Sequence, residues 1–301
     1  MNRTIMLGCA LHASLLLAAA PQSSPPCIGD KPSNLPGVPN VLRLSNRVYS
    51  GGEPVGDEAF ATLAHLGIKT IVGVDGAAPN VAAAKKYDIR YIHIPMGYDG
   101  VAPTVAKAVA AAMRDTTGPI YFHCHHGKHR GPAAAAVGCL AEGTMTNRKA
   151  VNVLKQAGTG KEYAGLWRDV AAYTYAPPKP SERLPQLVET APVPSLVSAM
   201  VKLDRALDRL KGCQKANWAA SKDHADLAPA QVTLIVEEML HETRRNLVAG
   251  RDAAFRQQLE RCESLARQLG KTVKSGTTTQ ATADFSALQQ SCTQCHARYR
   301  N

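Results

Sequence analysis

The sequence predicts an α/β domain, with a mostly parallel sheet and flanking helices, followed by an all-α four-helix bundle. Three observations carry this. From residue 41 to about residue 175, short β-branched runs alternate with alanine-rich stretches of helical period, as in successive βαβ units. Prolines then gather in residues 176–194, from Pro177, Pro178 and Pro180 to Pro192 and Pro194, which suits a semi-rigid linker. Beyond them apolar residues recur only at helical spacing.

Taken in order, residues 41–44 and 47–49 read as a short strand pair. Residues 59–66 read as a helix stopped by Gly67, residues 70–74 as a buried strand and residues 81–87 as a helix. A strand at 90–95, a helix at 105–114 and a strand at 120–123 follow. The last ends at a loop rich in His and Gly, and an alanine-rich helix begins at Pro132, with more helix to about residue 175. Four apolar stripes fill the remainder: Leu196/Met200/Leu203/Leu207/Leu210, Val232/Ile235/Val236/Met239, Phe255/Leu259/Cys262/Ala266/Leu269 and Phe285/Leu288/Cys292/Cys295/Tyr299.

The first 20 residues read as a signal peptide. Arg3 supplies the positive start, residues 5–20 are almost wholly apolar, and Ala18-Ala19-Ala20 offers small residues for cleavage. That run is short for a membrane span, which needs about 20 apolar residues. The expectation is a secreted, periplasmic protein with no stable membrane span. Cys9 lies inside the apolar run rather than after it, which argues against lipid attachment. Residues 21–40, rich in Pro, Ser and Gly, read as an exposed leader. The domains expected are therefore 41–175 and 195–301, with a linker at 176–194.

Net charge is +11, from 35 Lys and Arg against 24 Asp and Glu, with no run of five or more basic residues. This diffuse excess favours anionic substrates over nucleic acid. Of the eight cysteines, Cys124, Cys292 and Cys295 stand in chemical motifs. Cys213 and Cys262 read equally as a disulfide or as two buried thiols.

The densest chemistry lies in Tyr121-Phe122-His123-Cys124-His125-His126-Gly127-Lys128-His129-Arg130-Gly131-Pro132, which holds four of the ten histidines. A strand, His-Cys, five residues, Arg and a helix place Cys124 at the base of a cradle of backbone N–H groups. Such a cradle binds an oxyanion and favours a thiolate. Arg130 can hold two phosphate oxygens in a fork, and Gly127 permits the turn. A zinc cluster drawn from Cys124 and the loop histidines is disfavoured, because adjacent residues rarely converge on one ion and the arginine repels it.

This stretch resembles the signature loop of the protein-tyrosine and dual-specificity phosphatase superfamily, over about residues 41–175. The resemblance implies Cys124 as nucleophile of a phosphocysteine intermediate and Arg130 as phosphate ligand, with no cofactor for that chemistry. His125, His126, Gly127, Lys128 and His129 form the substrate-binding loop. It implies Asp99, in His93-Ile94-Pro95-Met96-Gly97-Tyr98-Asp99-Gly100, as general acid, with Asp75 as runner-up. The family usually carries Ser or Thr after the arginine; Gly131 stands there, which implies slower hydrolysis of the intermediate. The cationic loop resembles the members that act on inositol phosphates.

At the C-terminus, Cys292-Thr293-Gln294-Cys295-His296 is a Cys-x-x-Cys-His motif, in which two thiols take the vinyl groups of haem c and His296 reaches the iron. With four helical stripes and the motif on the last, residues 190–301 resemble the cytochrome c-prime and c-556 family. That implies His296 as proximal iron ligand, Met200 as candidate sixth ligand, and homodimers. Two functions follow: an exported phosphatase coupled to a haem domain for redox sensing, gas sensing or electron transfer, or an electron carrier whose phosphatase-like domain only binds phosphate. The partners expected are a phosphorylated substrate and a redox protein.

Overall fold

In the computed structural model, residues 31–179, 181–220, 228–247 and 250–300 are described. The expected signal peptide, Cys9, Cys27 and the leader as far as residue 30 lie outside them. The sheet is built from β1 (Ser33–Leu35), β2 (Val38–Arg43), β3 (Val48–Gly51), β4 (Thr70–Gly73), β5 (Arg90–His93) and β6 (Ile120–His123), in the order β1-β2-β3-β6-β4-β5. Strands β3, β6, β4 and β5 run parallel, and β2 and β1 extend the edge antiparallel. The sheet is thus mixed, with a parallel centre.

Successive residues of a strand point to opposite faces, and here both faces are apolar and covered. Val72, Ile92 and Phe122 pack with α3 (Pro103–Asp115), α4 (Arg130–Ala141), α5 (Asn147–Ala157) and α6 (Ala164–Ala172). Ile71, Tyr91 and Tyr121 face α1 (Gly56–His65) and α2 (Val81–Lys85). All residues of β3, β4 and β6 are buried, the pattern of strands covered on both sides.

The domain begins earlier than residue 41. Strand β1 and the start of β2 lie within the segment expected to be an exposed leader; Val38 is buried and packs beside Phe60 and Leu63. Proline content masked these short edge strands. The described residues of 176–194 carry no helix or strand, yet they are fastened to the sheet edge rather than spanning free. The His93 amide donates to Val188 O at 2.9 Å, the Ala191 amide to His93 Nδ1 at 3.1 Å, and Leu187 packs on the core.

Helices α7 (Ser195–Lys215), α8 (Pro229–Asn246), α9 (Ala253–Lys274) and α10 (Thr278–Tyr299) share a core that includes Leu203, Leu210, Val236, Leu240, Leu259, Leu269, Phe285 and Leu288. Each packs against the next, whereas α7 and α10, the two ends of the series, approach only marginally. Cys213 and Cys262 are both buried but not joined to each other; Cys262 Sγ instead meets Ser291 Oγ at 3.3 Å. No helix among the described residues is long and apolar enough to cross a membrane.

Candidate active site

Strand β6 lies between β3 and β4, whose carboxyl ends flank the loop that leaves it, the place where ligands bind in sheets of this kind. Three loop carbonyls are satisfied from outside. The Glu53 amide donates to His125 O at 3.0 Å, Asn40 Nδ2 to Gly127 O at 2.8 Å, and Thr159 Oγ1 to Lys128 O at 2.6 Å. In a trans peptide the next N–H points opposite to the carbonyl. The amides of His126, Lys128 and His129 therefore turn to the opposite side, making an anion-binding concavity.

Cys124 is 2 % exposed and Arg130 is 6 % exposed, as the first residue of α4. The Arg130 guanidinium donates to Met96 O at 3.3 Å and to the Tyr98 hydroxyl at 2.8 Å, and lies 4.0 Å from the Tyr98 ring centre. Its Nε is buried with no hydrogen-bond partner. A buried, unsatisfied, charged donor is costly unless a ligand completes it.

The histidines do not share one role. Burial pushes the pKa of His123 down, although the charges of Asp75 and Glu53 oppose this; its Nε2 meets the Tyr91 hydroxyl and its Nδ1 has no partner. His129, packed on Tyr163 with ring centres 4.2 Å apart, is lowered to about 4 by burial and by the positive charges of His126, Arg300, Arg130 and Lys128. For His125 burial works against the charge, but hydrogen bonds to Asp208 and Glu53 outweigh it and raise the pKa to about 10. That charge is matched by two carboxylates, and His126 also donates to Asp208 Oδ2, at 3.0 Å. The loop is thus less cationic than its four histidines imply. Lys128 is exposed, and its carbonyl rather than its amine is engaged at Thr159.

The two candidate acids are placed differently. Asp99 is exposed and lies in a groove with Arg168 and Asp169; its carbonyl accepts from Arg168 Nη2 at 3.4 Å. The segment that carries it borders Arg130 through Met96 and Tyr98. Asp75 follows β4 and is 2 % exposed; its Oδ1 accepts from the Ala77 amide at 2.9 Å and its Oδ2 is unpartnered. A Cβ at Gly131 would stand 3.0 Å from Cys124 N and 3.2 Å from His123 C. The start of α4 is thus packed closely against the loop backbone at Gly131.

Asn40, Glu53, Tyr98 and Thr159 escaped the sequence reading because they come from distant segments. The signals were weak ones: Asn40 takes a positive φ of 56°, and Glu53 follows the pair Gly51-Gly52.

In the helical region, Cys295 is buried and Cys292 half-buried in the common core, with Met200 and Tyr299 packed on it. His296 lies exposed on α10, next to Cys295. The Tyr299 hydroxyl is buried without a hydrogen-bond partner. The two thiols share one helix face, Met200 stands on α7, and α7 and α10 stay apart. Two thiols on one helix face with a histidine next in the chain are the donor set that covalent haem c requires.

No protein-family model and no curated protein matches this chain. Solved structures do. The catalytic core of the PP-IP phosphatase SIW14 from S. cerevisiae is 19% identical, with a TM-score of 0.40, over 47% of this chain and 89% of that one. P. aeruginosa TpbA is 24% identical, with a TM-score of 0.35, over 44% and 81%. A Shewanella putrefaciens protein described as a phosphatase is 17% identical, with a TM-score of 0.39, over 45% of this chain and 91% of that one.

Proposed function

We propose that this chain is an exported cysteine-dependent phosphatase whose helical region is a cytochrome-like four-helix bundle carrying covalent haem c. One observation carries the phosphatase reading. A buried cysteine and a buried arginine with an unsatisfied Nε close a loop whose carbonyls are held from outside. A phosphate monoester supplies the oxygens that this cradle lacks. Cys124 Sγ attacks phosphorus, the bond to the leaving oxygen breaks, and Arg130 with the loop amides holds the equatorial oxygens. Asp99 protonates the leaving oxygen, then takes a proton from the water that cleaves the S–P bond. The pairing of His125 with carboxylates leaves phosphotyrosine-type and inositol-phosphate-type substrates both in view.

Haem c supplies one-electron chemistry or gas binding when attached. Cys292 and Cys295 would hold it, His296 would ligate the iron and Met200 would be the candidate for a further ligand. A periplasmic location follows from the same reading, since haem c is attached outside the cytoplasm. A redox protein is the partner expected.

The test is vanadate-sensitive phosphate release by the full chain under reductant. Asp99→Asn should lower kcat by about 10²- to 10⁴-fold, and more on alkyl than on aryl phosphates. Asp75→Asn should leave that leaving-group dependence intact; the reverse result transfers the role to Asp75. For the haem, a pyridine haemochrome assay on denatured, washed protein should show covalent haem in the wild type. Cys292→Ser/Cys295→Ser should show none. Release of all haem from the wild type on washing would rule out covalent attachment.

A further inference from the structure

We propose that His125, His126 and Asp208 form a site for a divalent transition metal ion, zinc being the first choice, which ties α7 across the phosphate loop. Among the described residues, this is the group of three potential ligands whose donor atoms lie within 4.8 Å of one another. His125 Nε2 is 2.9 Å and His126 Nε2 3.0 Å from the same carboxylate oxygen, Asp208 Oδ2. The two rings meet nearly edge to face, with centres 4.2 Å apart, so their nitrogens approach that oxygen from different directions. The sequence argued against a loop metal because adjacent residues rarely converge. Here they converge because the third ligand comes from 82 residues away.

The surroundings have the form of a metal site. A ligating histidine usually gives its other N–H to a carboxylate, which fixes the ring, and a ligating carboxylate is itself hydrogen-bonded. His125 Nδ1 donates to Glu53 Oε2 at 3.3 Å, and Glu53 is in turn held by Arg205. Lys211 Nζ donates to Asp208 Oδ1 at 2.7 Å, which leaves Oδ2 for the ion. Arg205 is matched by Glu53, and Lys211 shares the Asp208 carboxylate with the ion through its other oxygen. Two imidazoles and one carboxylate suit zinc, with a fourth position open to water. The ion would take the place of the His125 Nε2 proton, which leaves to solvent, and would bind His126 as the neutral imidazole with its proton on Nδ1. Its effect would be to pin loop residues 125 and 126 to the helical region.

The test uses the chelator-treated full chain titrated with cobalt(II), then with zinc(II), and reads metal binding alone, so it stands whether or not the loop hydrolyses phosphate. One cobalt per chain is expected, with visible ligand-field bands, no sulfur-to-metal charge-transfer band, and displacement by zinc. Asp208→Asn and His126→Gln should each weaken binding at least about tenfold, and Glu53→Gln by about 10- to 100-fold. Thermal melts confirm that each variant is folded, and the two ligand variants report independently. A charge-transfer band would assign the metal to the cysteines and overturn the proposal. So would unchanged binding in both ligand variants, or no binding by the wild type, in which case the contact is an ion-pair clamp only.

Discussion

Cys124→Ser is expected to abolish phosphate release, by about 10⁴-fold or more in kcat, while oxyanion binding is kept. The magnitude follows from the loss of the nucleophile in a covalent mechanism, where what remains comes from binding and charge stabilisation. Binding persists because serine differs by one atom and the anion is held elsewhere. On the proposed reading it would be held by the amides opposite the carbonyls of His125, Gly127 and Lys128, and by Arg130, whose Nε has no partner. Vanadate or phosphate affinity measured by calorimetry should therefore change by less than about tenfold, which is 1.4 kcal/mol. Turnover by the serine variant would exclude a phosphocysteine. Loss of binding together with activity would show that the loop depends on the thiol for its shape.

Gly127→Ala is expected to cost about 2–6 kcal/mol of stability and most of the activity. Gly127 takes φ = +68°, and a Cβ there would stand 2.2 Å from Gly51 C and 2.3 Å from Gly52 N. Both contacts are backbone, so no side chain can swing aside. Left-handed strain costs about 1–3 kcal/mol, and overpacking costs about 1–3 kcal/mol more. Relief requires the loop to move off the β3–α1 turn, which would break the bond from the Glu53 amide to His125 O and shift the N–H groups from the anion. Denaturant unfolding with phosphate titration checks both effects. Full stability with normal phosphate affinity would show that the loop and the turn are not packed as described.

These variants test what was legible in the chain and what was not. The Cys124–Arg130 spacing is local, and a loop between strand and helix has little freedom at that length, so its residues could be named directly. The order of strands and helices to residue 172 is local too, since hydrophobic period is written into neighbouring residues. Its misses were the edge strand β1 and the first residues of β2, where proline content outweighed a short stretch of pattern. The Cys292-Cys295-His296 motif was equally legible as a motif. The packing of Cys295 into the core shared by the four helices was not.

The sequence by itself determined the two-region plan, the central strands and the pairing of Cys124 with Arg130 in one loop, because each rests on residues close together in the chain. Only the tertiary structure decided the direction in which the pKa values of His123, His125 and His129 move, since that depends on burial and on charges such as Glu53, Asp208 and Arg300, which come from distant segments. It also decided that Asp99 faces solvent while Asp75 is buried, that Asn40 and Thr159 brace the loop, and that α7 reaches His125 and His126. Burial and hydrogen bonding set these properties, and both are sums over contacts that periodicity and spacing do not encode.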